Sequence, residues 1–142
     1  MKSDISLKLK DSIKNDEGFR RFIYKDIKGN QTIGYGRNVA QVGVSELEAE
    51  ILLSNDISNA TMELYRFLPF AQSLDDIRKA ALIELTFNVG IEKVIQFRKM
   101  IDALKNKDFE LASNEMLDSE WAKEVGNRAN KLSAWIKTGE MS

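Results

Sequence analysis

Five of the eight glycines, Gly18, Gly29, Gly34, Gly36 and Gly43, fall between positions 18 and 43 of a 142-residue chain. Glycine is the default residue where a backbone must turn sharply, so such a cluster marks a turn-rich segment whose short intervening runs read as strands. Elsewhere glycines are far apart, the chain has a single proline, and apolar residues recur at helical spacing. A small β-containing region therefore sits between helical flanks. The class is α+β and mostly helical, with one small sheet near the N-terminus. The length fits one domain, and no internal repeat or low-complexity linker divides it.

The spacing predicts a first helix over Asp4 to Asp16, with Ser3 or Asp4 as its N-cap and Ile5, Leu9 and Ile13 as its apolar stripe. Gly18 offers a left-handed C-terminal cap. Phe22 to Ile27 reads as a strand, Lys28-Gly29-Asn30 as a turn and Gln31 to Tyr35 as the return strand. Ser45-Glu46-Leu47-Glu48 forms a capping box that opens a second helix carrying Leu47, Ile51, Ile57 and Leu64. A third helix starts near Ser73, holds Ile77, Ala81, Leu85 and Asn88, and stops at Gly90. Val94 to Lys105, Phe109 to Leu117 and Asn127 to Lys137 give further helices.

Composition narrows the chemistry sharply. The chain contains no cysteine and no histidine. Disulfides, cysteine nucleophiles and Ser-His-Asp arrangements are excluded, as is the commonest metal ligand. Reactivity must come from carboxylates, hydroxyls, Lys/Arg or backbone groups, and neither a cofactor nor a metal is expected. The net charge of −1 gives no broad attraction to nucleic acid or anionic lipid. The charges are unevenly placed: Glu46, Glu48, Glu50, Asp56 and Glu63 lie in a stretch without basic residues. Lys93, Arg98, Lys99, Lys105 and Lys107 are offset only by Asp102. These are either solvated helix faces of uneven sign or a basic wall that meets an anionic polymer. No apolar run suffices for a membrane span, and the N-terminus lacks a signal-peptide core, so a soluble protein made in the cytoplasm is expected.

Two carboxylates stand out. Glu17 ends the first helix, where the negative end of the helix dipole and the neighbouring apolar stripe both favour the protonated form that a general acid needs. The alternative is an ordinary exposed residue near a helix cap. Asp26 lies beside a polar turn and should stay ionised. With a three-residue turn, Ile27 pairs with Gln31, and Asp26 lies opposite Thr32, close enough for a carboxylate and a hydroxyl to hold one water. A two-residue Gly29-Asn30 turn puts them on different faces. The alternative in either register is an Asp and a Thr that only stabilise the turn. One protonated acid and one carboxylate are the two parts needed to hydrolyse a glycosidic bond. A separation of about 6.5–9.5 Å goes with an intervening water and inversion, and about 5–5.5 Å with direct attack and retention. Sequence spacing alone does not choose.

Asp16-Glu17-Gly18, Tyr24-Lys25-Asp26 and Thr32-Ile33-Gly34-Tyr35-Gly36 together resemble the catalytic segment of the T-even bacteriophage-type lysozyme family, the phage endolysins or muramidases. The resemblance continues through Ser45 to Glu50, Ala80 to Ile83, Phe87 to Gly90, Trp121 and Gly126 to Ala129, covering nearly the whole chain. It implies a two-lobed lysozyme-like fold acting as a single catalytic domain over 1–142. Its small β-containing lobe spans about 17–44 and a connecting helix about 45–64. The larger helical lobe, about 65–142, takes in the N-terminal helix, and a glycan chain lies between the lobes. By resemblance, Glu17 is the general acid, and Asp26 with Thr32 positions the attacking water, with inversion. The reaction implied is glycoside hydrolysis of the β-1,4 bond between N-acetylmuramic acid and N-acetylglucosamine in peptidoglycan. Tyr35, Phe87, Asn88 and Arg128 match substrate-binding positions, and Arg128 matches an arginine that reaches toward the catalytic Glu.

Two departures from the family pattern stand out. The TIGYG run is commonly followed by His, here replaced by Arg37, and the stretch from Arg37 to Val44 is short where relatives often carry a longer loop. The expected partner is the peptidoglycan strand, without nucleic acid or stable membrane insertion. The expected state is a monomer in the bacterial host cytoplasm until release to the wall. A lytic transglycosylase needs the acid but no water-holding pair, and a non-catalytic wall-binding protein on the same fold predicts loss of one of the three residues. All three are present.

Overall fold

The computed structural model describes residues 1–141, and the chain divides into two compact units, Met1–Glu50 and Ile51–Ser142. The first begins with helix α1 (Ser3–Glu17). Its N-cap is Lys2 rather than Ser3 or Asp4, because Ser3 already has helical geometry and Lys2 O accepts the first bond, from Ser6 N, at 3.0 Å. The Ile5, Leu9 and Ile13 stripe is not a buried face: these side chains are 44–49% exposed. Gly18 ends the helix at positive φ, but its ψ of 157° is extended rather than left-handed helical. The chain therefore runs straight into a strand.

Strands β1 (Arg20–Lys25), β2 (Gln31–Gly34) and β3 (Arg37–Asn38) form an antiparallel sheet in sequence order. Tyr24 faces Thr32 and Lys25 faces Gln31, which corrects the expected register of Ile27 on Gln31 and Asp26 on Thr32. The cause is the connection. The Asp26 carboxylate folds Asp26–Asn30 into a turn by accepting backbone N–H groups within it, so β1 ends at Lys25 instead of Ile27. β3 pairs through Thr32 with Asn38 and Ile33 with Arg37, and a one-turn helix α2 (Val39–Val42) follows. Neither short element is visible in the periodicity. Thr32 is the one buried side chain of this unit.

Helix α3 (Glu46–Phe67) starts at the expected capping box: Glu48 N donates to Ser45 Oγ at 3.1 Å and Ser45 N donates to Glu48 Oε1 at 2.8 Å. Of its predicted apolar residues only Leu64 is fully buried, while Leu47 is 72% exposed.

The second unit holds the hydrophobic core. A 3₁₀ segment (Pro69–Ser73) leads to α4 (Asp76–Val89), which begins later than predicted because Asp75, not Ser73, caps it through Arg78 N at 3.2 Å. The helix predicted over Val94 to Lys105 is two elements, α5 (Ile91–Val94) and α6 (Arg98–Lys105). Between them Gln96 N and Phe97 N bond back to Lys93 O and Val94 O, a tight 3₁₀ pattern that breaks the α-helical ladder. Helices α7 (Phe109–Leu117), α8 (Glu120–Val125) and α9 (Asn127–Thr138) complete the unit. Leu64, Leu82, Leu85, Met100, Leu104, Met116, Leu132 and Ile136 are buried at its centre. Buried Thr86 and Ser133 hydroxyls bond to the carbonyls of Leu82 and Asn130, so the core carries them without an unpaired donor. The architecture is thus α+β and mostly helical, with one small N-terminal sheet.

Candidate active site

Glu17, the last residue of α1, is exposed, and its carboxyl lies over the backbone of Gly36. A Cβ built on Gly36 would stand 2.7 Å from both Cδ and Oε2 of Glu17, so the absence of a side chain there makes room for the carboxyl. Gly36 also has φ +80°, a conformation glycine adopts without strain. Next to it, Tyr35 packs its ring 5.7 Å from that of Phe19, and Lys14 Nζ sits 5.4 Å from its centroid. These contacts tie the Tyr35-Gly36 turn to the end of α1.

Asp26 and Thr32 meet through a residue that sequence reasoning passed over. Asp26 Oδ1 accepts from Lys28 N at 2.9 Å and Asn30 N at 2.8 Å, while Oδ2 accepts from Asn30 Nδ2 at 3.3 Å. Thr32, only 3% exposed, donates its hydroxyl proton to Asn30 O at 3.0 Å. The Asn30 backbone N–H, outweighing partial desolvation and aided by the Asn30 side chain and Lys28, holds the Asp26 carboxyl below its ordinary range. Asp26 therefore builds its turn and stays ionised at once. The sequence signal covered the turn but not Asn30: an Asp that opens a turn commonly bonds the backbone two residues on, which here is Lys28.

Arg37, where histidine is common, makes a two-pronged ion pair with Glu48 and donates from Nη1 to Gly43 O at 2.8 Å. The guanidinium, with help from Ser45, holds the Glu48 carboxyl down to about 2. The short connection from Arg37 to Val44 is thus clamped onto the start of α3.

The remaining candidates lie in the second unit. Phe87 and Arg128 line the same cavity of about 450 Å³, with Leu53, Ile57, Ile83 and Glu84. The partner of Arg128 is Glu84, with Nε donating to Oε2 at 2.8 Å, and Lys131 joins at 3.2 Å. Burial pushes the Glu84 carboxyl up, but the two cations outweigh it and the net direction is down. Asn88 accepts from the indole N–H of Trp121 at 2.7 Å, satisfying a donor on a side chain that is only 7% exposed. Trp121 lines a second cavity of about 610 Å³, where Lys93, Arg98 and Lys99 share the wall with Glu115, Glu120 and Glu124. That wall is of mixed sign, not uniformly basic. Among the described residues no three acidic side chains converge as metal ligands would, and no helix is long and apolar enough to cross a membrane.

The structure thus defines a mostly helical α+β protein with Glu17, Asp26 and Thr32 in or beside its one small sheet. The sequence pattern of the phage lysozyme family matches residues 14–136, and the chain belongs to that family. It is 29% identical to "Probable T4-type lysozyme 1" of Dictyostelium discoideum, over 94% of this chain and 96% of that protein. It is 27% identical to "Probable T4-type lysozyme 2" of the same organism, over 94% and 95%. A more distant relative at 24% identity is the "Pre-baseplate central spike protein Gp5" of Enterobacteria phage T4. That match covers 96% of this chain but 28% of the spike protein.

Proposed function

We propose that this protein is an inverting muramidase that hydrolyses the β-1,4 bond between N-acetylmuramic acid and N-acetylglucosamine in peptidoglycan. The observation that carries the reading is the bonding of Asp26 and Thr32. Oδ1 of Asp26 is filled by two backbone donors, whereas Oδ2 has one long bond and room for another. Thr32 has given its only proton to Asn30 O, so its oxygen can only accept. A water between them would donate one proton to each and turn a lone pair outward. In the reaction that lone pair forms a bond to the anomeric carbon, and a water proton passes to Asp26 Oδ2. The bond from the anomeric carbon to the glycosidic oxygen breaks, and Glu17 gives its proton to that oxygen. Tyr35, Phe87, Asn88 and Arg128 are assigned to holding the glycan. Membership of the phage lysozyme family supports the same reaction class.

The setting that fits is a phage endolysin, monomeric and acting as one catalytic domain, which gathers in the host cytoplasm and degrades the wall at lysis. Glu17→Gln removes the transferable proton at constant shape and should abolish clearing of a cell-wall suspension, with the melting temperature kept. Undiminished clearing by that variant would refute the acid assignment. Product ends separate the enzyme classes: free reducing ends with inverted configuration support hydrolysis through water, and 1,6-anhydro-muramic ends indicate a lytic transglycosylase instead.

A further inference from the structure

Among the described residues, Asn30 is the one bonded to both members of the water-holding pair. Its backbone N–H and side-chain amide reach the two oxygens of Asp26 at 2.8 and 3.3 Å, and its carbonyl takes the Thr32 proton at 3.0 Å. It is half-buried between them, opposite Asp26 across the turn, where Asp26 N also donates to Asn30 O at 2.9 Å. We propose that Asn30 is a positioning residue that assigns the two pair members their roles, fixing Oδ2 of Asp26 as the base and Thr32 as an acceptor of the water's second proton.

The inference rests on the reading of Asp26 and Thr32 as the water-holding pair and adds a division of labour within it. The Asn30 backbone supplies two of the fixed contacts, whatever its side chain. The amide supplies the third and acts on the very oxygen left for the water. A carboxylate oxygen rotates with its partner, so a donor on one lone pair of Oδ2 fixes the direction of the other. Removing the amide leaves the direction of that oxygen set only by the two backbone bonds to Oδ1, and it removes a hydrogen bond to the ionised form, which makes Asp26 easier to protonate. The charged side chain that bears on Asp26 is Lys28, and it is untouched by changes at position 30.

The test measures kcat, KM, the acidic limb of the kcat–pH profile and the melting temperature on soluble glycan oligomers. The variants are Asn30→Ala, Asn30→Asp and Asp26→Asn. Asn30→Ala should lower kcat about tenfold, the lower end for a hydrogen bond to a charged group, with KM unchanged and the acidic limb moved to higher pH. Asn30→Asp keeps the size but sets a second carboxylate against Asp26. It should move the limb further in the same direction, and it remains informative if the alanine variant folds poorly. A purely structural role would lower the melting temperature and leave the limb in place. That result in both position-30 variants, or a change in KM alone, overturns the proposal. If Asp26→Asn is inactive while the position-30 variants behave as the parent, only the role of Asn30 falls. If Asp26→Asn stays active, the pair itself is misassigned and the role of Asn30 falls with it.

Discussion

Replacing Gly36 by alanine separates the fit of Glu17, the proposed acid, from the stability of the sheet. The residue has φ +80°, and an L side chain in that region costs about 1–2 kcal/mol. For a chain of this size that corresponds to a fall in melting temperature of about 3–8 °C. The second effect is local. The new Cβ would lie 2.7 Å from Cδ and Oε2 of Glu17, whereas non-bonded carbons rest at about 3.5–4.0 Å. The carboxyl must therefore retreat by about 1 Å, a displacement that costs a reacting group on the order of a hundredfold in rate. The comparison variant is Gly43→Ala. It has φ +66° and no neighbour within 4 Å of the added carbon, so it carries a similar backbone cost without touching Glu17. Calorimetry should show comparable losses of stability in the two variants, while cell-wall clearing falls about a hundredfold in Gly36→Ala alone. Clearing by Gly36→Ala at the parent rate, or equal losses in both variants, would show that the Gly36 contact does not set the position of the acid.

Two further predictions concern stability. The Glu48 carboxyl is drawn from 4.5 down to about 2 by Arg37, and a depressed carboxylate stabilises the folded state above its unfolded value and loses that contribution as pH falls through the folded one. The melting-temperature gap between the parent and Glu48→Gln should thus be full above pH 4.5 and shrink steadily toward pH 2. Arg78→Met should destabilise by about 2–4 kcal/mol on thermal or urea unfolding. The substitution removes a mostly buried guanidinium that bonds Ile136 O at 2.6 Å and Lys137 O at 3.0 Å while lying 3.5 Å over the Phe109 ring.

Glu17, Asp26 and Thr32 could be singled out because a carboxylate ending a helix and an Asp beside a turn are local features, and the TIGYG run fixes their context. The helices of the second unit were legible where a glycine coincided with apolar spacing, as at Gly90. What escaped was set by side chains bonding across a few residues of irregular backbone. Asp26 spends its carboxylate on the turn, and that shifted the hairpin register away from the one that alternation suggests. The capping box at Ser45 was readable, but not that its Glu48 also receives Arg37 from β3, because the partners lie in different elements. The role of Gly36 was equally hidden, since the space it leaves is occupied by a residue from the far side of the sheet's sequence. The break between α5 and α6 carries no glycine or proline to announce it.

That Thr32 is the one buried side chain of the first unit has a bearing on how the protein wears out. A segment with almost no interior resists opening mainly through its backbone ladder, its caps and the Arg37 clamp, and such segments open at a fraction of the global unfolding free energy. The hairpin that carries Asp26 and Thr32 is thus the part whose amide protons should exchange early and whose turn a protease should find first. Loss of lytic capacity on warming would then precede the melting of the helical core. The enzyme would inactivate at its sheet while most of its mass remained folded.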